Sequence, residues 1–388
     1  MQKIHNTMKV STRFLTSNLA PVTLLFLFIL VVISGCTSSG PKDSSAQNSR
    51  HPIAQELVQK KPNEISVMTF NVENLFDTTH DKDREDFTYL PLKEKSKVDV
   101  KNFCAQQKAH YRDECNNLNW DEDILKVKLN NIGTVIRYID GGKGPDNILF
   151  AEVENISILN RLAKEQLKDL GYQTVVLIEG PDLRGIDPGF ISKFPQVGEA
   201  KLHLIPYEDS NPEQLKWAKR SRGILEVTVK LPNQKKLTFL SAHFPSQSNP
   251  VAWRSQAIQF AKKLMTDYQK QGRAVIFGGD LNITADEEDA QGFFKTQMSE
   301  VGQVSHLVGC KACEGSHFYR GHWSFLDILV YSKNLPTAAK VELIPDSLQV
   351  VKVPVHMKRN GTPLRFDVEK REGVSDHFPL YSRLKILE

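Results

Sequence analysis

The chain has 388 residues, 40% hydrophobic and 25% charged, with 22 Gly and 19 Pro; these proportions exclude a fibrous or low-complexity protein and suit one large globular domain or two smaller ones. The formal net charge is +4, but residues 1–35 hold three bases and no acid, so the remainder is close to neutral. That balance neither requires nor excludes a nucleic-acid partner, for which a localised basic patch is the expected sign.

At the N-terminus Lys3, Lys9 and Arg13 precede an apolar run from Val22 to Ile33. The run is shorter than the roughly 20 residues that span a bilayer, and a basic region before a short apolar core is the layout of a secretory signal. Ile33-Ser34-Gly35-Cys36 resembles the cleavage site of a bacterial lipoprotein. The resemblance implies removal of residues 1–35 and acylation, with palmitate among the expected chains, of Cys36. Thr37 and Ser38 follow without an aspartate, which points to the outer membrane, facing the periplasm or the exterior. Residues 36–62, rich in Ser, Gln, Lys and Pro, read as a flexible tether. Residues 63–388 read as one catalytic domain, since no later segment resembles a linker.

From Ile65 onward short apolar runs alternate with helix-period segments, which predicts an α/β (α+β) domain. Strands are expected at 65–70, 147–153, 173–178, 188–193, 222–229, 236–243, 274–278, 325–331 and 378–385. Ile124, Val127, Ile132, Val135, Ile136 and Ile139 share one helical face, and Gly141-Gly142-Lys143-Gly144-Pro145 stops that helix. Further helices are expected at about 157–169 and 250–270. Residues 78–120 and 284–320 read as loop-rich insertions. Each carries two cysteines, and in an exported chain Cys104–Cys115 and Cys310–Cys313 are the simplest disulfide pairs. The Cys310-x-x-Cys313 pair is also compatible with redox activity or with zinc, although zinc would need a second ligand pair.

The chemistry lies at the strand ends, where sites are commonly built. Asn71 and Glu73 follow the first strand. Glu152 interrupts an otherwise apolar strand, and a lone carboxylate there is costly to bury unless a cation or donor meets it. His243 ends another strand, Asp280 and Asn282 follow the next, Asp327 interrupts a further one, and Asp376-His377 precede the last. Each alone has an ordinary explanation as a turn residue or helix cap.

The runs MTFNVENLFDT, ILFAEVEN, LSAHFPS, VIFGGDLNIT, SFLDILVYS and GVSDHFPL, in that order, resemble the successive signatures of the endonuclease/exonuclease/phosphatase superfamily over about residues 65–385. The resemblance implies a four-layer sandwich: two mixed β-sheets packed face to face with helices outside. It implies Glu152 as the main ligand of Mg²⁺, with Mn²⁺ or Ca²⁺ as alternatives, and Asn71, Glu73 and Asp376 beside the ion; such hard cations take oxygen ligands. It implies that Asp280 and Asn282 orient or deprotonate the attacking water, and that His377, its tautomer fixed by Asp327, and His243 face the scissile phosphate from two sides. Arg184, in a loop resembling one of bacterial members, and Arg222 are weaker candidates for phosphate contacts.

Three functions are compatible with these residues. One is a surface-tethered nuclease with nucleic acid as substrate. Another is a phosphatase or phosphodiesterase acting on phospholipid head groups or small phosphate esters. The third is a catalytically silent binding module. The expected ligands and histidines are all present, which argues for activity. No feature points to a protein partner.

Overall fold

The computed structural model describes Leu57 and residues 59–310 and 313–388. The signal, Cys36 and most of the tether therefore lie outside the described residues. Among the described residues no helix is long and apolar enough to cross a membrane.

Fifteen strands are described: β1 Glu64–Leu75, β2 Asn147–Val153, β3 Thr174–Leu177, β4 Asp187–Ser192, β5 Lys201–His203, β6 Ile224–Lys230, β7 Lys236–His243, β8 Val275–Asp280, β9 Gly302–Val304, β10 His317–Tyr319, β11 His322–Ser324, β12 Asp327–Ser332, β13 Val341–Leu343, β14 Gln349–Val350 and β15 Leu380–Ile386. One sheet runs β13-β15-β1-β2-β4-β3, with β14 also on β15; the other runs β5-β6-β7-β8-β12-β9. Both are mixed. β1 and β2 are parallel, as are β7 and β8, and the other pairings are antiparallel.

The two-residue period of the strands builds the layers. Ile65 and Val67 of β1 pack with Leu149, Phe190, Phe239, Ile276 and Leu329 between the sheets. Met68 and Phe70, on the opposite face of β1, pack with Leu125, Leu129 and Ile132 of a helix at Glu122–Arg137. On the far side, Leu240, Val275, Phe277 and Ile328 meet Ala257, Ile258, Ala261 and Met265 of the helix Val251–Lys270. Helix, sheet, sheet, helix is the four-layer arrangement implied by the sequence signatures. The helix at Glu122–Arg137 begins where the Asp121 side chain accepts from the amides of Asp123 and Ile124, satisfying two of its free N–H groups.

Neither insertion is mere loop. Within 78–120 two short helices, Val98–Gln106 and Ala109–Asn117, are joined by the Cys104–Cys115 disulfide. They close over a small core of Leu90, Val100, Phe87 and Phe103. Weak periodicity hid these helices because the disulfide supplies part of the apolar contact that a longer helix would need. Residues 284–320 contain a helix at Ala285–Gln291 and strand β9, and they lead into the β10–β11 hairpin. Cys310 and Cys313 are disulfide-bonded, not metal ligands.

β7 and β8 approach closely at Gly279, whose φ is +134°; a Cβ there would stand 1.9 Å from the carbonyl oxygen of Ala242. Gly279→Ala should therefore cost about 1–3 kcal/mol or more, seen as a fall of several degrees in Tm. An unchanged Tm would contradict this approach of the two strands.

Candidate active site

The same period that packs Val67, Phe239, Ile276 and Leu329 between the sheets carries Asn71, His243, Asp280 and Asp327 to one end of that space. Register completes the cluster: Asp280 is paired with His243 on β7 and with Asp327 on β12. β1 and β2 arrive from the other sheet with Asn71 and Glu152. Both strands bend sharply where they arrive. Glu73, Asn74 and Glu152 have φ of 50°, 57° and 64°, a left-handed backbone that is uncommon for side-chain-bearing residues and is often found at functional sites.

Asp280 is the centre. Its Oδ2 accepts from Asn71 Nδ2 at 2.9 Å and lies 3.7 Å from His243 Nε2 and 3.8 Å from His377 Nε2. Its Oδ1 accepts from the amide of Asn282 at 2.8 Å. Burial pushes its carboxyl up to about 7, against the pull of the charged His377. His377 Nδ1 meets Asp327 Oδ2 at 2.7 Å. Burial opposes a charge on His377, yet Asp327 and Asp280 outweigh it and hold the imidazole well above its ordinary value. His243 goes the other way: burial, then repulsion from Arg222, Arg184 and His377, holds it well below. The result is one charged and one neutral imidazole on either side of a carboxylate.

Glu73, Glu152 and Asp376 stand beside this group. Glu152 Oε1 is 3.8 Å from His243 Nε2 and 3.4 Å from Asn71 Nδ2, while Oε2 accepts from the amide of Asn74 at 2.9 Å. Glu73 Oε1 accepts from Arg365 Nε at 2.5 Å; its Oε2 is buried with no hydrogen-bond partner among the described residues. Burial, then the nearby Asp376, pushes Glu73 up to about 7. Asp376 and Glu152 are near enough to act on the charge of Glu73, whose second oxygen is unpartnered, and carboxylate oxygens of this kind suit a hard divalent cation such as Mg²⁺, although their ligand atoms do not converge on one point as those of His317, Asp376 and His377 do. Asn71 is better placed to orient these groups than to ligate an ion. Its Oδ1 accepts from the amide of Glu73 at 2.9 Å, so its NH₂ faces the carboxylates. Asn282 uses one N–H on the carbonyl of Phe244, at 3.1 Å, which leaves its second for a ligand.

The two arginines differ. Arg184 is exposed and donates to Asn74 Oδ1 at 2.5 Å, next to Glu152. Arg222, expected to meet a phosphate, is instead buried, paired with Asp182 Oδ2 at 2.5 Å and donating to the carbonyl of Ile186. A buried guanidinium has to be paired, so Arg222 fastens the 182–187 loop that carries Arg184.

Several contributing residues escaped the sequence reading. Lys128 is fully buried and donates to the carbonyl of Val374 at 2.5 Å, while Asn131 donates to that of Gly373 at 3.0 Å; together they hold the segment that leads to Asp376. Burial lowers Lys128 to about 8, against the attraction of Glu73, Glu152 and Asp376. A lysine on the apolar stripe of its helix was the available signal. Ser375 Oγ donates to the carbonyl of Asn71 at 2.7 Å and accepts from the amide of His377 at 3.0 Å, tying the two segments together. His317 lies with its ring 4.7 Å from that of His377, and these two with Asp376 bring three ligand atoms within 4.8 Å of one another. Nothing local in the sequence marks His317 or Arg365, because both reach the site by tertiary contact alone.

A sequence profile described as the endonuclease/exonuclease/phosphatase family matches residues 100–386. The chain belongs to that family. No curated protein matches the chain. Among solved structures, an endonuclease/exonuclease/phosphatase protein from Beutenbergia cavernae is 15% identical, covering 84% of this chain and 72% of its own, with a TM-score of 0.49. A mannosyl-6-phosphatase from Bacteroides thetaiotaomicron is 12% identical, covering 82% and 99%, with a TM-score of 0.49. A humanized D. rerio TDP2 is 14% identical, covering 83% and 99%, with a TM-score of 0.48. The family membership makes this a phosphoric ester hydrolase; likenesses this distant carry nothing about its substrate.

Asp327→Asn should lower the pH at which His377 titrates, because it removes the nearest negative charge. NMR titration of the imidazole checks this; an unmoved midpoint would mean that Asp327 does not hold the proton on His377.

Proposed function

We infer that this family member is a divalent-metal-dependent nuclease that hydrolyses phosphodiester bonds of DNA or RNA. The observation that carries hydrolysis is the pair of imidazole Nε2 atoms, 3.7 and 3.8 Å from one Asp280 oxygen, with three carboxylates alongside. Arg184 and Arg365, both exposed at the site's rim, favour a polyanionic substrate.

In this reading Glu152, Glu73 and Asp376 would hold the cation, which when bound neutralises charge on phosphoryl oxygens. Asp280, within 4 Å of both imidazole Nε2 atoms, orients or deprotonates the attacking water. The His377 imidazolium, kept charged by Asp327, donates from Nε2 to a phosphoryl oxygen where negative charge grows. Neutral His243 faces the same phosphate from the other side, and Asn282 contributes its spare N–H.

The test is nicking of supercoiled plasmid by the detergent-solubilised full chain with Mg²⁺. EDTA should abolish it, and His377→Ala should slow it by on the order of 10²-fold or more. Activity that survives EDTA would refute metal dependence. A folded, metal-loaded protein that cuts neither DNA nor RNA but hydrolyses lipid or small phosphate esters would replace the nuclease reading.

We also infer that the protein is anchored in the cell envelope through acylated Cys36, facing the periplasm or exterior. The basic start, the short apolar run and the Ser34-Gly35-Cys36 sequence support this. Labelled palmitate should enter the wild-type chain in cells and be absent from Cys36→Ser; equal labelling of both would refute the anchor.

A further inference from the structure

The β10–β11 hairpin overhangs the site. Phe378, the residue after His377, donates its amide to the carbonyl of Ser316 at 2.7 Å, and His317 forms a β-bridge with His377 itself. Cross-strand partners share a face, so His317 goes with Ser324, Tyr319 with His322, and Phe318 with Trp323. The Phe318–Trp323 face is the anchor. Their rings are 5.1 Å apart, and Trp323 stacks on Phe378 with centroids 6.2 Å apart. Trp323, Phe378, Leu348, Val350 and the disulfide cysteines share one apolar cluster.

The other face is different in kind. From the His377 imidazole outward run three rings: His377, then His317 at 4.7 Å, then Tyr319 at 6.4 Å from His317 with its plane inclined by 26° to it. Tyr319 is 61% exposed, which is unusual for a ring that seals no core. The Arg320 guanidinium lies 5.2 Å over it, and residues 315–326 contain no acid. An exposed aromatic ring backed by a cation, on a hairpin bridged to His377 of the candidate active site, has the features of a base-stacking platform.

We propose that this hairpin binds single-stranded polynucleotide, the base of a nucleotide flanking the scissile phosphate stacking on Tyr319 while Arg320 meets the adjoining backbone. The inference rests on the nuclease reading above and adds the strandedness of the substrate. Bases inside a duplex have their faces covered by neighbours, so Tyr319 can act only on an unpaired or terminal base.

The test compares wild-type, Tyr319→Ala and Tyr319→Trp full-length proteins in detergent with Mg²⁺. Each is assayed on a single-stranded oligonucleotide, on the duplex of the same sequence and on bis(p-nitrophenyl) phosphate. Tyr319→Ala should raise KM for the single strand about tenfold with kcat nearly unchanged. Its KM for the duplex and for the small ester should move by less than twofold, and Tyr319→Trp should restore the single-strand KM. A Tyr319→Ala protein that handles the single strand like wild-type overturns the proposal while the nuclease reading stands. So does an equal loss on all three substrates, the mark of a structural role. A wild-type protein that turns over the small ester but no polynucleotide removes the nuclease reading, and the platform with it.

Discussion

The carboxylate of Asp280 is buried where the two sheets meet, and the site is organised by the need to satisfy it there. A carboxylate out of water is costly unless donors and opposite charge surround it. Asn71 reaches it from one sheet, the Asn282 amide closes it from its own strand, and His377 supplies the positive charge. Each requirement pulls in another. His377 needs Asp327 to keep its proton, Asp327 is placed by its register with Asp280, and Asn71 is held through Ser375 to the segment that carries His377. The face-to-face sheets are thus more than a scaffold beneath the site. Their junction is the buried environment in which two imidazoles, each within 4 Å of one Asp280 oxygen, are pushed to titrate in opposite directions.

What could be read from the sequence follows from the same geometry. A strand tells its faces apart by simple alternation, so polar residues in phase with the inter-sheet core, such as Asn71, His243, Asp280 and Asp327, betray themselves. Glu152 stood out for a related reason, as a charge in an apolar run. The four layers were legible because the family signatures coincide with those strand ends.

The remainder depends on contacts between segments remote in sequence. Arg365 and His317 reach the site from loops whose local pattern is featureless. Arg222 shows the opposite failure: a basic residue beside a glycine looks ready for a ligand, and only the fold reveals that Asp182 already holds it. β1 was expected to end at Asn71 but runs to Leu75, since the left-handed turn at Glu73 and Asn74 lets pairing with β2 resume after a bend. That bend is what delivers Glu73 and the Asn74 amide to Glu152.

Lys128 and Arg365 bear on how three like charges share one corner of the fold. Glu73, Glu152 and Asp376 would repel one another if they stood alone, and many acid-rich cation sites hold their shape only when loaded. Here two cations built into the chain face the cluster, one buried beneath it and one reaching in from the rim. Much of the repulsion is already offset within the polypeptide. The partial neutralisation of Glu73, Glu152 and Asp376 is thus written into the polypeptide itself, by Lys128 from beneath and Arg365 from the rim.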